Sequence, residues 1–326
     1  MIISKTPLRM SFAGGGTDFA DFYRKYYGAV LSTTINKYVY ISVNKRFTKR
    51  VRVGYSEIED VHNVDDIKHN LVREALKLTG ITTSTDIVYT SDLLPASEGS
   101  GLGSSSSLLV GTLNAIHAYK GEYSSPEVLA KKSCQIEIDI LKSPIGKQDQ
   151  YAAAYGGLNF IKFNPDESVF VEPIILKKTT KNELENNLLL FYTGTHTRSD
   201  IVLCEQKSKI GTNLEILNHM VHLAEELKDS LRNSDLTKFG SILNQNWEYK
   251  KKLSTQVSTS VIDKYYQKAM DAGALGGKIL GSGGGGFLLF YCEDKNKQKL
   301  RDALSELEEL PFCFEPQGSR IIYIGD

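Results

Sequence analysis

The chain has 326 residues, with 39 Lys+Arg balanced by 39 Asp+Glu, 41% hydrophobic and 24% charged, which allows two domains or one large one at about 150 residues per domain. Zero formal net charge and a pI near 7.0 exclude a strongly basic nucleic-acid binder and argue against a disordered chain. No run of 18 apolar residues occurs, the N-terminal residues lack the apolar core of a signal peptide, and the four cysteines form no C-x-x-C pair. A soluble cytoplasmic protein with no membrane partner and no disulfide framework is expected, monomeric or homodimeric.

Residues 30–43, 51–55 and 87–90 are β-branched and aromatic and read as strands. Leu71, Val72, Ala75, Leu76 and Leu78 predict a helix over 68–79, closed by Gly80. A second helix is expected over 104–120, and a third over 126–141, where Pro126 follows Ser125 as a first helical residue. Gly156 and Gly157 turn the chain into a strand over 158–163, and the polar stretch 177–187 is the candidate boundary between domains 1–176 and 177–326. Beyond it the pattern predicts a strand over 188–192, helices over 199–230 (broken near Gly211), 236–250 and 260–272, a strand over 287–291, a charged helix over 294–307 and a final strand over 320–324. This is an α+β arrangement, with no internal repeat.

Glycine is clustered: three residues at 14–16, three at 99, 101 and 103, and five at 281 and 283–286. Such runs persist where the chain needs positive φ or close backbone approach. The most specific segment is Pro95-Ala-Ser-Glu-Gly99-Ser100-Gly101-Leu102-Gly103-Ser104-Ser105-Ser106, a glycine-serine loop opening into an amphipathic helix. Free amides and the positive dipole end at a helix start suit an anion, and serine hydroxyls add hydrogen bonds or a Mg²⁺ ligand. It is not a Walker A loop, since no G-x-x-x-x-G-K-[ST] string occurs. His219 and His222 lack a third zinc ligand, and Trp247 is expected in the core.

Pro-x-x-x-Gly-x-Gly-Leu-Gly-Ser-Ser resembles the second motif of the galactokinase, homoserine kinase, mevalonate kinase and phosphomevalonate kinase (GHMP) superfamily. Residues 6–18, from Thr6-Pro7-Leu8-Arg9 to Gly14-Gly15-Gly16-Thr17-Asp18, resemble its first motif, and Lys278-Ile-Leu-Gly281-Ser-Gly283-Gly284 resembles its third. The resemblance spans nearly the whole chain. It implies a two-domain fold: a ribosomal-S5-domain-2-like N-terminal domain and a ferredoxin-like α/β sandwich at the C-terminus. It also implies transfer of the ATP γ-phosphoryl group to a hydroxyl, with Mg²⁺.

In that resemblance Asp149 is the catalytic aspartate and Arg9 the charge-stabilising residue. Residues 95 and 99–106 bind nucleotide, and Glu137 and Ser105 hold the metal. Gly15, Gly16, Thr17, Asp18, Gly283 and Gly284 contact the substrate. Galactokinases carry Glu-His where this chain has Gly15-Gly16. The strings Ala13-Gly-Gly-Gly-Thr-Asp18, Gly146-Lys147-Gln-Asp149-Gln-Tyr151 and Thr193-Gly-Thr-His-Thr-Arg198 are instead similar to the D-glycero-D-manno-heptose 7-phosphate kinases, which make a 1,7-bisphosphate for GDP-heptose and capsule synthesis. Lys147 and Arg198 are then the expected ligands of the sugar phosphate, with Lys5, Lys45 and Arg46 as alternatives. A fucose- or galactose-type kinase, a sugar sensor on the same fold and an ATP-dependent decarboxylase are the competing readings.

Overall fold

The computed structural model describes residues 1–93, 100–195 and 199–325. Strands β1 (Ile2–Ala13) and β2 (Gly28–Lys45) pair antiparallel along most of their length. With 18 residues, β2 takes two partners on its other edge. Its first half pairs with β6 (Leu158–Phe163) and its second with β5 (Thr85–Ser91). β3 (Val51–Gly54) runs parallel to β5 and carries β4 (Ile58–Val61), while β7 (Val169–Pro173) extends the sheet past β6.

The second sheet has four antiparallel strands in the order β11 (Glu308–Glu309), β8 (Leu188–Tyr192), β10 (Phe287–Tyr291) and β9 (Gly276–Ile279). The chain then returns: β12 (Arg320–Ile324) pairs with β1 at the edge of the first sheet. The first sheet therefore draws residues from both sides of the expected boundary at 176/177.

Helices α1 (Ala20–Tyr23) and α2 (Asn70–Thr79) are short, and Gly80 ends α2 in the left-handed conformation at φ 73°. Helix α3 (Ser104–Tyr119) lies across β1 and β2 and buries Leu108, Leu109, Val110, Leu113 and Ile116. A Cβ on Gly111 in its middle would fall 2.7 Å from Thr6 Oγ1, so glycine sets how closely helix and sheet approach. Helix α4 (Pro126–Cys134) is capped by the Ser125 side chain and runs into a π-helical turn, Gln135–Ile140, where an unbroken α-helix was expected. Helix α5 (Gln148–Tyr155) follows.

The polar stretch after β7 is not an open linker but helix α6 (Lys178–Asn187), which buries Thr180, Leu184 and Asn187. The long helical region after β8 is two helices, α7 (Ser199–Ser208) and α8 (Leu214–Arg232), separated around Gly211. Helices α9 (Leu236–Lys250), α10 (Ser260–Asp271) and α11 (Asp294–Ala303) complete the second layer. One core cluster spans β1, β2, α3 and α8, and a second surrounds the fully buried Trp247 with Leu288 and Phe290. Among the described residues no helix is long and apolar enough to cross a membrane. The four cysteines are free thiols.

Candidate active site

Gly101 and Gly103 take φ values of 76° and 74°, which glycine adopts without steric cost. Helix α3 starts directly after them, with Gly103 as N-cap. A glycine loop at the positive end of a helix is an anion-binding arrangement. Of the loop residues named from sequence, Pro95 and Gly99 lie outside the described residues, as does Arg198.

Arg9, on β1, is buried beneath this loop. Its Nε and Nη2 each donate to Asp149 at 2.7 Å, and its Nη1 donates to the Gly101 carbonyl at 2.5 Å. The Arg9 amide donates to the Leu102 carbonyl at 3.0 Å. Asp149, in the first turn of α5, keeps 25% of its side chain exposed. A two-pronged pair of this kind fixes the orientation of the carboxylate, and its oxygens retain lone pairs toward the open side.

Glu137 sits on the π-helical turn, a distortion frequent at functional sites. Its Oε2 accepts from Ser106 Oγ at 2.8 Å and from Gln150 Nε2 at 2.5 Å. Burial pushes its carboxyl up to about 7 despite those bonds. Ser105, expected beside Glu137, is exposed. Successive helical residues are rotated by about 100°, and Ser106 is the serine that faces Glu137.

A polar pocket opens beside Asp149, lined by Arg9, Ser11, Gly16, Asp18, Gln148, Gln206, Lys250, Gly281 and Ser282. Asp18 is buried in its wall, where Gly16 N, Gln148 N and Gln148 Nε2 donate to its carboxylate at 3.0, 3.1 and 3.2 Å. Burial raises its carboxyl above the usual range, against those backbone donors.

Three expectations need correction. Thr17 is fully buried, and its hydroxyl is spent on Gly14 O at 2.8 Å and on the backbone of Ala29 at 3.0 Å, so it braces the loop and does not face the pocket. Gly283 and Gly284 pack on Val257, whose carbonyl accepts from Gly284 N at 2.8 Å, and the third motif reaches the pocket through Gly281 and Ser282. Lys147 Nζ bonds to Glu167 and lies 4.8 Å from the Tyr23 ring centroid, away from the pocket. Of the alternative phosphate ligands, Lys5 lies over the Tyr38 ring at 3.7 Å, Arg46 pairs with Asp60 at 2.9 Å, and Lys45 is exposed.

One lysine that the motifs did not single out as a ligand lines the pocket, and a second lies behind it, bonded to the pocket residue Ser11. Lys278 on β9 is fully buried and donates to Ser11 O at 2.7 Å. Lys250, the last residue of α9, is buried in the pocket wall, and a Cβ on Gly15 would lie 3.3 Å from its Nζ. A lysine inside a glycine-rich strand such as Gly276-Gly277-Lys278 is a readable signal, whereas a lysine ending an amphipathic helix is not.

Residues 69–157 match the GHMP kinases N terminal domain, and residues 227–309 match the GHMP kinases C terminal domain. The D-glycero-alpha-D-manno-heptose 7-phosphate kinase of Campylobacter jejuni is 33% identical over 97% of each chain. The chain belongs to the GHMP kinases. It is a phosphotransferase of the sugar-kinase type, and its α+β architecture is that of this family. A crystal structure of a D-glycero-D-manno-heptose 1-phosphate kinase from Bacteroides thetaiotaomicron superimposes with a TM-score of 0.83, at 27% identity and full coverage of both chains. The phosphomevalonate kinase of Streptococcus pneumoniae shares the fold, with a TM-score of 0.80 at 16% identity over 97% of this GHMP kinase and 100% of that chain.

Proposed function

We propose that this kinase transfers the γ-phosphoryl group of ATP to the C1 hydroxyl of D-glycero-D-manno-heptose 7-phosphate, giving the 1,7-bisphosphate for GDP-heptose and surface-polysaccharide synthesis in the cytoplasm. The observation that carries this reading is Asp149, held through both oxygens by Arg9 between the polar pocket and the start of α3. A hydroxyl in the pocket meets a fixed carboxylate, and a phosphate chain at the helix start meets the glycine loop. In-line transfer needs that positioning and charge neutralisation more than covalent chemistry.

Asp149 accepts the proton of the C1 hydroxyl as its oxygen closes on the γ-phosphorus, and general-base help of this kind is worth about 10²- to 10⁴-fold. Asp18, kept in place by Gly16 and Gln148, is the acceptor that orients the other hydroxyls of the sugar. Ser106 and Glu137 would hold Mg²⁺. They supply hard oxygen donors, and Oε1 of the neighbouring Gln150 is buried with no partner among the described residues, as expected where a further polar group belongs. Magnesium supplies neutralisation of phosphate charge.

The substrate assignment is supported by the full-length similarity to a heptose 7-phosphate kinase and by the basic residues Arg9 and Lys250 in the pocket lining. Arg198 remains the proposed ligand of the remote phosphate. Residues 1–176 and 177–326 are the proposed functional halves, the first carrying the nucleotide loop and Asp149. The test is ADP release from Mg·ATP with heptose 7-phosphate, free heptose, mannose, fucose and galactose. Turnover confined to galactose or fucose would assign another substrate, and no turnover with any sugar would favour a sensor.

A further inference from the structure

The charges at the reacting end of the pocket are distributed in a way the motifs do not anticipate. Arg9, which the first motif singles out to stabilise the transferring group, has Nε, Nη1 and Nη2 each engaged, two with Asp149 and one with Gly101. Its guanidinium is used to hold Asp149 against the nucleotide loop. Lys278 is likewise turned away, toward the backbone of Ser11.

Lys250 differs from both. The residue is 4% exposed, and among the described residues its Nζ makes no hydrogen bond and no ion pair, although it lines the same pocket as Asp18 and Asp149. An ammonium in a largely buried site, open only to the pocket and with no protein partner for its three donors, is costly to a folded protein. Its surroundings are built to accommodate it: Gly15 leaves the space that a side chain would take.

We propose that Lys250 is a further catalytic residue, whose ammonium donates to the non-bridging oxygens of the phosphoryl group as it passes from ATP to the sugar hydroxyl. The proposal rests on the kinase reading above. In that step the acceptor oxygen bonds to the γ-phosphorus and its proton goes to Asp149. The bond from γ-phosphorus to the β,γ-bridging oxygen breaks, and ADP leaves with the electron pair. Charge on the three equatorial oxygens then lies between Asp149 and the nucleotide loop, where all three Arg9 nitrogens are already engaged and the Lys250 ammonium has three unused donors.

Burial pushes the Lys250 ammonium down to about 8, against the attraction of Asp18 and Asp149 and with the repulsion of Arg9. Lys278, on the facing strand β9, is also pushed down, by burial first and then by Lys250. The charged, working form of Lys250 is therefore lost from the free enzyme as pH rises through about 8. An anion in the pocket would raise that value.

The experiment compares wild type, Lys250→Met and Lys250→Arg in steady-state kinetics with Mg·ATP and heptose 7-phosphate or free heptose, from pH 6 to 9.5, alongside melting temperatures. Removal of one preorganised donor to a transition-state oxyanion costs about 10²- to 10³-fold in kcat. Lys250→Met is expected to lose about that much kcat on both sugars, to change KM little and to lose the alkaline limb of kcat/KM near pH 8. Its Tm should equal or exceed that of wild type, because an unpartnered buried charge has gone. Lys250→Arg should recover part of kcat and move the alkaline limb upward.

Three results would overturn the proposal: kcat of Lys250→Met within threefold of wild type, a rise in KM confined to the phosphorylated sugar, or a fall in kcat matched by a fall in Tm with the alkaline limb kept. If wild type instead uses a different sugar, the substrate assignment fails and the same comparison on that sugar still decides the role of Lys250.

Discussion

Gly101 and Gly281 touch backbone to backbone. A Cβ on Gly101 would fall 2.4 Å from the Leu280 carbonyl oxygen, and one on Gly281 would fall 2.5 Å from the Gly101 Cα. Both residues have positive φ, 76° and 72°. The glycine-serine loop of the first sheet layer is thus seated on the glycine-rich loop of the second, and the shape of each depends on the other.

Either glycine should be intolerant of a side chain. Gly101→Ala adds left-handed strain of about 1–2 kcal/mol to a clash with fixed backbone. Nucleotide affinity is expected to fall at least about tenfold, with the far-UV spectrum retained. Gly281→Ala should do the same from the other half of the chain. Titration calorimetry with a non-hydrolysable ATP analogue measures both, and unchanged affinity in the pair would contradict this loop-to-loop seating.

Ser106 and Ser105 should separate in a magnesium titration. A hydrogen bond to a charged group is worth about 1.5–3 kcal/mol, so Ser106→Ala is expected to raise the Mg²⁺ concentration for half-maximal rate by about tenfold or more. Ser105→Ala, altering an exposed hydroxyl, should leave that concentration nearly unchanged. The opposite ranking would return the metal contact to Ser105.

Lys147 is expected to be structural. Burial alone would raise the Glu167 carboxyl, but hydrogen bonds from Lys147, Tyr23 and Arg24 outweigh it and hold the group down at about 2. A folded value below the unfolded one of 4.5 contributes stability that is present above pH 4.5 and lost as pH falls toward 2. Lys147→Met should therefore lower Tm slightly at pH 7, by an amount that shrinks below pH 4.5. Its kcat/KM on the phosphorylated sugar should stay within about threefold of wild type. A selective loss on the phosphorylated sugar would restore Lys147 as a phosphate ligand.

These contrasts also mark what the sequence carries. The glycine loops were legible because positive φ and close backbone approach leave a local trace, and the strands at 158–163, 188–192 and 287–291 were legible because their apolar runs end in glycines or polar residues. The partners were not. That residues 320–324 form a strand is local, but that it lies against β1 depends on contacts between the two ends of the chain. Lys250 was hidden for the same reason. After Leu236, Phe239, Ile242, Leu243 and Trp247 at helical spacing, a terminal lysine looks like a solvated complement to the helix dipole, and its burial comes from the Gly15 loop of the other layer. Ser106 and Ser105 could not be told apart until the rotation of α3 relative to the π-helical turn was known.

Phosphorus resonances followed in Mg·ATP and D-glycero-D-manno-heptose 7-phosphate, with wild type and with Asp149→Asn, test the proposed transfer to C1. Wild type is expected to give ADP together with a new phosphate resonance coupled to the anomeric proton, formed far faster from the 7-phosphate than from free heptose. Asp149→Asn is expected to be slower by about 10²-fold or more, with ATP affinity kept. Full turnover in Asp149→Asn, or a new phosphate at any carbon other than C1, would contradict transfer to C1 assisted by Asp149.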